Sequence, residues 1–470
     1  MRGPGTGGRR AAVPGPCRCT RVPGPRRAGV SGGGDRMIVT VTPNPALDLT
    51  WHVEKIVPGG THRADAGAVR AGGKGLNVAR VAHAAGADVI AVTTAGGATG
   101  EEFRAELTAA GVPAVLVPVV AATRRSIALV DEALGDTTIV NERGIAPTDA
   151  EWQALRDAVA GALSSAARPG RASRRSDASK PTASATGAGQ TPPVLAISGS
   201  VPPGTPDDLL PSLIALGREA GAIVVADTSG PALLRAADAG ADVLKPNAAE
   251  LAEATGIADP IEGARELLRR GASLILLSRG AEGMLAVSAD SAGAVGNHGS
   301  SGPVSEGQVA PRRDEELSSV ASDAFAESSV AAVAPVDDHG SSGLVPEGRS
   351  AARRGQGVSS VASDSLEVIS ARLPDALAGN PTGAGDAAVS AAAVLLAEGI
   401  RDPEAILRRA TAWSAAAVLM PLAGDIHPSW PDLEAAVIIT RETSLPAREP
   451  VADATSGAQT EVSPEAKDTV

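Results

Sequence analysis

The chain has 470 residues, a length that accommodates up to about three average domains, with a net charge of −12, four Trp, two Phe and no Tyr. That charge argues against a nucleic-acid surface, and no apolar run reaches the ~18 to 20 residues needed to span a bilayer. The two cysteines, Cys17 and Cys19, give neither a disulfide framework nor the spacing of a metal site, so the expectation is a cytoplasmic protein with a core of Ala, Val, Leu and Ile.

Residues 1–36 hold eight arginines and one acid, Asp35, among many Gly and Pro. They read as a disordered extension or an over-extended gene start, and Met37 opens the first clear strand, Ile38-Val39-Thr40-Val41. Directly after it comes Thr42-Pro43-Asn44-Pro45-Ala46-Leu47-Asp48. In an open α/β sheet ligands bind beyond the carboxyl ends of the strands, which makes Asn44 and Asp48 candidates for bonding sugar hydroxyls. An Asx turn is the alternative for Asn44.

A first glycine cluster, Ala71-Gly72-Gly73-Lys74-Gly75-Leu76-Asn77, opens a helix over Val78 to Ala85. It lacks the glycine spacing and the Ser or Thr of a Walker A loop. Lys74 could still meet a hydroxyl or phosphate where the backbone approaches closely, or be a solvated turn lysine. Residues 47–71, and Arg125–Asp131 with Thr137–Val140 around a Gly135-Asp136 turn, read as antiparallel strands forming a small lid.

The remaining apolar runs, Val89–Thr93, Val194–Ser198, Ile223–Asp227, Val243-Leu244 and Leu274–Leu277, alternate with Ala-rich helical stretches, as a mostly parallel sheet covered by helices requires. Residues 164–192 have linker composition. Residues 289–366 contain a duplication: His298-Gly-Ser-Ser-Gly302 recurs at His339–Gly343, and Ser318–Asp323 at Ser359–Asp364, both offset by 41 residues. Two polar copies cannot bury a shared core, so this reads as a low-complexity insertion entering close to Gly283. Residues 441–470 read as a disordered tail.

The second glycine cluster, Asn380-Pro381-Thr382-Gly383-Ala384-Gly385-Asp386, precedes a long Ala-rich helix. Glycines that aim successive N–H groups outward, ahead of a positive helix end, attract a phosphate. A carboxylate placed there suits a base that takes a proton from an attacking hydroxyl, while a helix cap is the alternative.

Five elements occur in order: Asn-Pro-Ala-Leu-Asp48, Gly-Gly-Lys-Gly-Leu-Asn77, Lys245-Pro-Asn247-Ala-Ala-Glu250, Ser278-Arg-Gly280-Ala-Glu282-Gly283 and Thr382-Gly-Ala-Gly-Asp386. From Met37 to about residue 440 the chain resembles the ribokinase-like, phosphofructokinase B family of sugar kinases, closest to its 1-phosphofructokinase branch. The resemblance implies an α/β three-layer sandwich with a mostly parallel central sheet and a small antiparallel β lid. It also implies ATP and Mg²⁺ as cofactors, a sugar phosphate as partner, and a homodimer through the lid.

Carried over, Asp386 is the catalytic base and Gly383, Ala384 and Gly385 form the anion hole. Lys245, Asn247, Ser278, Gly280, Glu282, Gly283 and Thr382 lie on the ATP side, with Glu250 tied indirectly to Mg²⁺. Asn44, Asp48, Gly72, Gly73, Lys74, Asn77 and the lid arginine Arg124 lie on the substrate side. Ser126 and Ala128 stand where some relatives carry Asn and Lys. The implied reaction is phosphorylation of fructose 1-phosphate at its 6-hydroxyl; tagatose 6-phosphate or fructose 6-phosphate as acceptor, or a non-catalytic sugar-phosphate sensor, are the alternatives.

Overall fold

In the computed structural model, which describes residues 37–166, 191–289 and 365–445, the Val- and Ile-rich runs become the strands of one large sheet. β1 (Met37–Thr42) leads to β2 (Ala46–Val53) and β3 (Ala68–Gly72), then α1 (Lys74–Ala84), β4 (Asp88–Ala95), α2 (Gly97–Ala110) and β5 (Ala114–Pro118). Next come β6 (Arg124–Asp131), β7 (Asp136–Asn141) and α3 (Asp149–Ala166). The middle alternates through β8 (Val194–Ser198), α4 (Leu209–Glu219), β9 (Ile223–Asp227), α5 (Pro231–Asp238), β10 (Val243–Leu244), α6 (Ala248–Thr255), α7 (Pro260–Arg270) and β11 (Leu274–Ser278). The last part holds β12 (Met284–Ala289), β13 (Leu366–Arg372), α8 (Ala384–Ala397), α9 (Pro403–Val418), α10 (Trp430–Ala436) and β14 (Ile438–Leu445).

The large sheet has the order β14-β13-β12-β11-β10-β9-β8-β1-β4-β5. Strands from β11 to β5 pair in parallel, and β12, β13 and β14 add an antiparallel edge. Side-chain alternation along the strands feeds two cores. Ile38, Val194 and Val225 face α1, α8 and α9, while Val39, Leu195 and Val224 face α3, α4, α5 and α7. Scarce aromatics are compensated by small residues: every residue of α8 from Asp386 to Ala397 is buried, with alanines that let it pack closely between α1 and α9. Among the described residues no helix is long and apolar enough to cross a membrane.

The lid is a separate four-stranded sheet, β3-β2-β6-β7. Its outer pairs, β2/β3 and β6/β7, are antiparallel, and its central pair β2/β6 is parallel. Asp131 fixes the β6–β7 turn by accepting from the backbone N–H groups of Ile56 (2.8 Å) and Leu134 (3.0 Å).

Three expectations about boundaries change. β14 runs to Leu445, past the 440 limit, because it completes the antiparallel edge against β13. α3 absorbs residues 164–166, and Ala289 and Leu366 are strand residues paired with each other. That last pairing also corrects the expectation that the long insertion enters near Gly283. Met284 sits beside Ser278 at the carboxyl ends of the parallel strands, whereas Ala289 and Leu366 lie at the opposite ends of their strands. Residues 1–36, 167–190, 290–364 and the tail beyond Leu445 lie outside the described residues.

Candidate active site

A cleft of about 1270 Å³ opens at the carboxyl ends of the parallel strands, where the strand order leaves loops free to surround a ligand. It brings together the expected residues from all five motifs: Asn44 and Asp48; Gly73, Lys74 and Asn77; Lys245, Asn247 and Glu250; Ser278, Gly280, Glu282 and Gly283; and Thr382, Gly383, Ala384, Gly385 and Asp386. Arg124 joins them from the lid. Gly72 alone does not line it. Its role is spatial, since a Cβ there would overlap the carboxylate of Asp48.

Two helix starts converge on the cleft. α1 follows Gly73, which adopts φ 109°, and α8 follows Gly383, at φ 85°; neither start has a side-chain cap. Uncapped N-terminal amides and the positive helix ends leave both starts suited to anions. The turn before α8 is built by Asn380, whose Oδ1 accepts from the N–H of Thr382 (3.0 Å) and whose Nδ2 donates to the Pro421 carbonyl (3.1 Å). The spacing of Lys74 and Asn77 along α1 puts both on one face.

From that face Asn77 Nδ2 donates to Oδ2 of Asp386 at 2.8 Å, tying the two helix starts together. Asp386 is 5% exposed. Burial pushes its carboxyl up to about 6; the neighbouring Asp227 carboxylate adds to the rise, while Lys74, the Asn77 hydrogen bond and Lys245 oppose it. A carboxyl in that range is ionised at neutral pH and still basic enough to take a hydroxyl proton in a transition state.

The two lysines share one counter-ion that the motifs did not reveal. Asp227, wholly buried at the end of β9, places Oδ1 3.4 Å from Lys74 Nζ and 3.5 Å from Lys245 Nζ, and its Oδ2 has no partner. Lys245 runs beneath the anion turn, so that a Cβ on Gly385 would lie 3.2 Å from its Nζ. Burial pulls the Lys74 ammonium down, but the carboxylates of Asp227, Asp386 and Glu250 outweigh it, and its pKa ends above the ordinary lysine value. Glu250 Oε1 lies 3.8 Å from the same ammonium.

Asn247 and Glu250 do local work first. Asn247 accepts from the Glu250 N–H (2.8 Å) and Glu250 Oε2 accepts from the Asn247 N–H (2.9 Å), a capping box that starts α6. A parallel bridge between Asn247 and Ser278 then sets this helix beside the loop carrying Gly280 and Gly283.

On the opposite wall, burial pushes Asp48 up to about 7; Arg124 opposes the rise, Asp386 adds to it, and Arg70 and Arg80 oppose it. The Arg124 guanidinium donates to the carbonyls of Asn44 (3.3 and 3.4 Å) and Glu142 (3.1 Å). Asn44 in turn donates to the Arg143 carbonyl (3.1 Å) and to Ser200 Oγ (3.3 Å). Gly199 and Ser200 line the cleft, as do Ser126 and its cross-strand partner Asn141. Sequence reading missed Asp227 and Ser200; the only signal for either was its place at or just beyond the carboxyl end of a recognised strand.

Comparison with known proteins agrees with this geometry. The model of the pfkB family carbohydrate kinases matches residues 44–169 and 175–301. The 1-phosphofructokinase of Haloferax volcanii is 36% identical over 260 residues, 54% of this chain and 74% of that protein. The ATP-dependent 6-phosphofructokinase isozyme 2 of Mycobacterium tuberculosis is 31% identical over 258 residues, 54% of this chain and 68% of that protein. The crystal structure of phosphofructokinase-2 from Escherichia coli in complex with potassium superposes with a TM-score of 0.59 at 23% identity, covering 85% of this chain and 98% of that one, which establishes the ribokinase-like three-layer fold. With more than half of the chain matched by the family model and its glycine-framed carboxylate seated in the common cleft, the chain belongs to the pfkB family of carbohydrate kinases.

Proposed function

We propose that this kinase transfers the γ-phosphate of ATP to the 6-hydroxyl of fructose 1-phosphate, giving fructose 1,6-bisphosphate. The observation that carries the reading is Asp386: a buried carboxyl, raised to about 6 and oriented by Asn77, at the uncapped start of α8 beside two ammonium groups. A protein that only binds sugar phosphates has no use for such a base. The 1-phosphofructokinase relatives support fructose 1-phosphate as acceptor, and the 6-phosphofructokinase relatives make fructose 6-phosphate the second reading.

In this reading Asp386 accepts the hydroxyl proton as the sugar oxygen attacks the γ-phosphorus and the bond to ADP breaks. Lys74, Lys245 and the amides of Gly383–Gly385 meet the charge on the transferring group, in a cleft where their dipoles need no reorganisation. Asn44 and Asp48 hold the sugar, and Ser126, Ile139 and Asn141 close the lid side against water. Arg124 reaches the phosphate already on the substrate, with its guanidinium anchored on the Asn44 and Glu142 carbonyls.

The donor set fits Mg²⁺. Asp227, with its unpartnered buried Oδ2, is the oxygen ligand that would hold it, with Glu250 contributing indirectly, and among the described residues no fuller group of His, Cys, Asp and Glu gathers. That matches an ion usually bound by one or two carboxylates and completed by substrate phosphates. When bound it neutralises charge on the phosphate oxygens.

ADP release measured with fructose 1-phosphate, fructose 6-phosphate and tagatose 6-phosphate tests the assignment. Turnover is expected to be fastest with the first, and Asp386→Asn is expected to abolish it while ATP and sugar phosphate still bind. No turnover with any acceptor would favour the sensor. A homodimer through the lid is supported by exposed apolar residues on its outer face, Val69 and Val140, and sedimentation of the wild type beside Val140→Glu checks it.

A further inference from the structure

One loop touches the lid, the anion turn and the partner of the base. It runs from the end of α9 to Asp425. On its inner side Pro421 accepts the Asn380 amide that shapes the turn, and Ala423 lies so close to Gly383 that a Cβ there would come within 2.8 Å of the Ala423 methyl. Gly424 comes close to Asn77, where a Cβ would stand 3.0 Å from Oδ1. On its outer side the loop meets Arg70 of β3. The guanidinium donates to the Ala423 carbonyl through Nη1 and pairs with Asp425 Oδ2 at 2.8 Å through Nη2.

Arg70 is the cross-strand partner of Asp48 in the β2/β3 register. Side chains directly opposite on an antiparallel pair share a face and move together. Any displacement of the lid that shifts Asp48 therefore shifts Arg70, and through its two bonds the loop that flanks Gly383 and Asn77. The covalent route from β3 through Gly72 to α1 gives one link between sugar side and base. Arg70 gives a second, spanning 353 residues of sequence.

We propose that Arg70 and Asp425 form a latch that registers the lid against the anion turn, making both positioning residues for phosphoryl transfer. The inference rests on the kinase reading above for its kinetic consequence, but not for its structural one. A two-point guanidinium contact fixes orientation as well as distance, which a single lysine-like charge could not do. Loss of the latch leaves the turn and Asp386 in place on average but unregistered with the sugar, a cost borne by turnover rather than by nucleotide affinity.

Asp425→Ala is the cleaner test, because Arg70 also bears on the Asp48 carboxyl; Arg70→Met is the second variant and the double mutant the third. Hydrogen exchange on the full-length protein should show faster exchange at the hydrogen-bonded amides of the turn, Thr382, Ala384 and Ala387, in Asp425→Ala, with protection elsewhere in the large sheet unchanged. Steady-state assays should show kcat lowered about tenfold, the equivalent of ~1.4 kcal/mol and the lower end for a charge-assisted bond. KM for ATP should stay within about twofold, and the double mutant should be no worse than Arg70→Met. Exchange at Thr382, Ala384 and Ala387 unchanged from wild type would overturn the latch, as would additive losses in the double mutant or losses matched by a general fall in protection. A wild type that turns over no sugar phosphate would sink the kinase reading, while the exchange measurement would still decide the latch.

Discussion

Replacing Asn77 by Ala removes the hydrogen bond that holds Oδ2 of Asp386 at 2.8 Å and opposes the burial-driven rise of its pKa. Both groups are about 5% exposed, so solvent does little to replace the lost partner. A hydrogen bond to a charged group is worth about 1.5–3 kcal/mol, and 1.36 kcal/mol corresponds to one unit, so the carboxyl should climb about one to two units above its present value of about 6. The sign follows from the active form being ionised: raising the pKa moves the acid limb of the rate profile to higher pH. At pH 7 the ionised share should fall from about nine-tenths to about half or less. The assay is kcat/KM for the sugar phosphate from pH 5 to 9, which reads groups of the free enzyme. Because Asp48 and Asp386 interact, the limb belongs to the pair, and ionisation of the substrate is common to both enzymes; the displacement between wild type and variant is therefore diagnostic. A limb that stays put or moves to lower pH in Asn77→Ala would refute the assignment of Asp386 as the base tuned by Asn77.

Three further outcomes are expected. Asp48 is pushed up to about 7 from 3.8, so its ionisation destabilises the folded state, and the penalty grows as pH rises between those values; Asp48→Asn should raise Tm at pH 8 but not at pH 4, with an upper bound of about 4 kcal/mol, while sugar phosphorylation is lost. Gly383→Ala combines a backbone at φ 85° with a Cβ 2.8 Å from the Ala423 methyl, and kcat should drop at least about a hundredfold with ATP binding weakened, readable by titration of a nucleotide analogue. Since Ala289 and Leu366 are direct antiparallel partners, replacing residues 290–365 by a two-residue Asn-Gly turn should leave kcat and KM within about twofold of wild type. A larger kinetic change would show that the segment acts on the site.

The residues that gather in the cleft were legible because glycine, lysine and carboxylate stand at short fixed spacings that survive in the linear chain. Asp386 and Lys74 could be found that way. Asp227 could not: it ends a strand of ordinary composition, and its importance comes from two ammonium groups that meet it from α1 and β10. The Asn247/Glu250 pair suits a phosphate and metal element in sequence, but its spacing is also that of a capping box, which the fold uses to set α6. Arg124 was assigned to a substrate phosphate, but the residues that anchor its guanidinium lie on other segments and leave no local mark. In the sheet, the parallel strands announced themselves as apolar runs. The edge strands β13 and β14 did not, since their pairing is decided by register between distant segments, from Arg372 with Ile438 to Leu366 with Leu445, rather than by composition.

The register of the large sheet also sorts the chain by tolerance. β1, β8 and β13 begin, and β12 and β14 end, at the pole remote from Asp386, and these are the points where residues 37, 194, 366, 289 and 445 border the long segments of unusual composition. The cleft and the borders of those segments therefore occupy opposite ends of the same strands. Foreign sequence grafted for labelling or display is therefore expected to spare the cleft when it enters at that pole, a consequence of sheet register alone.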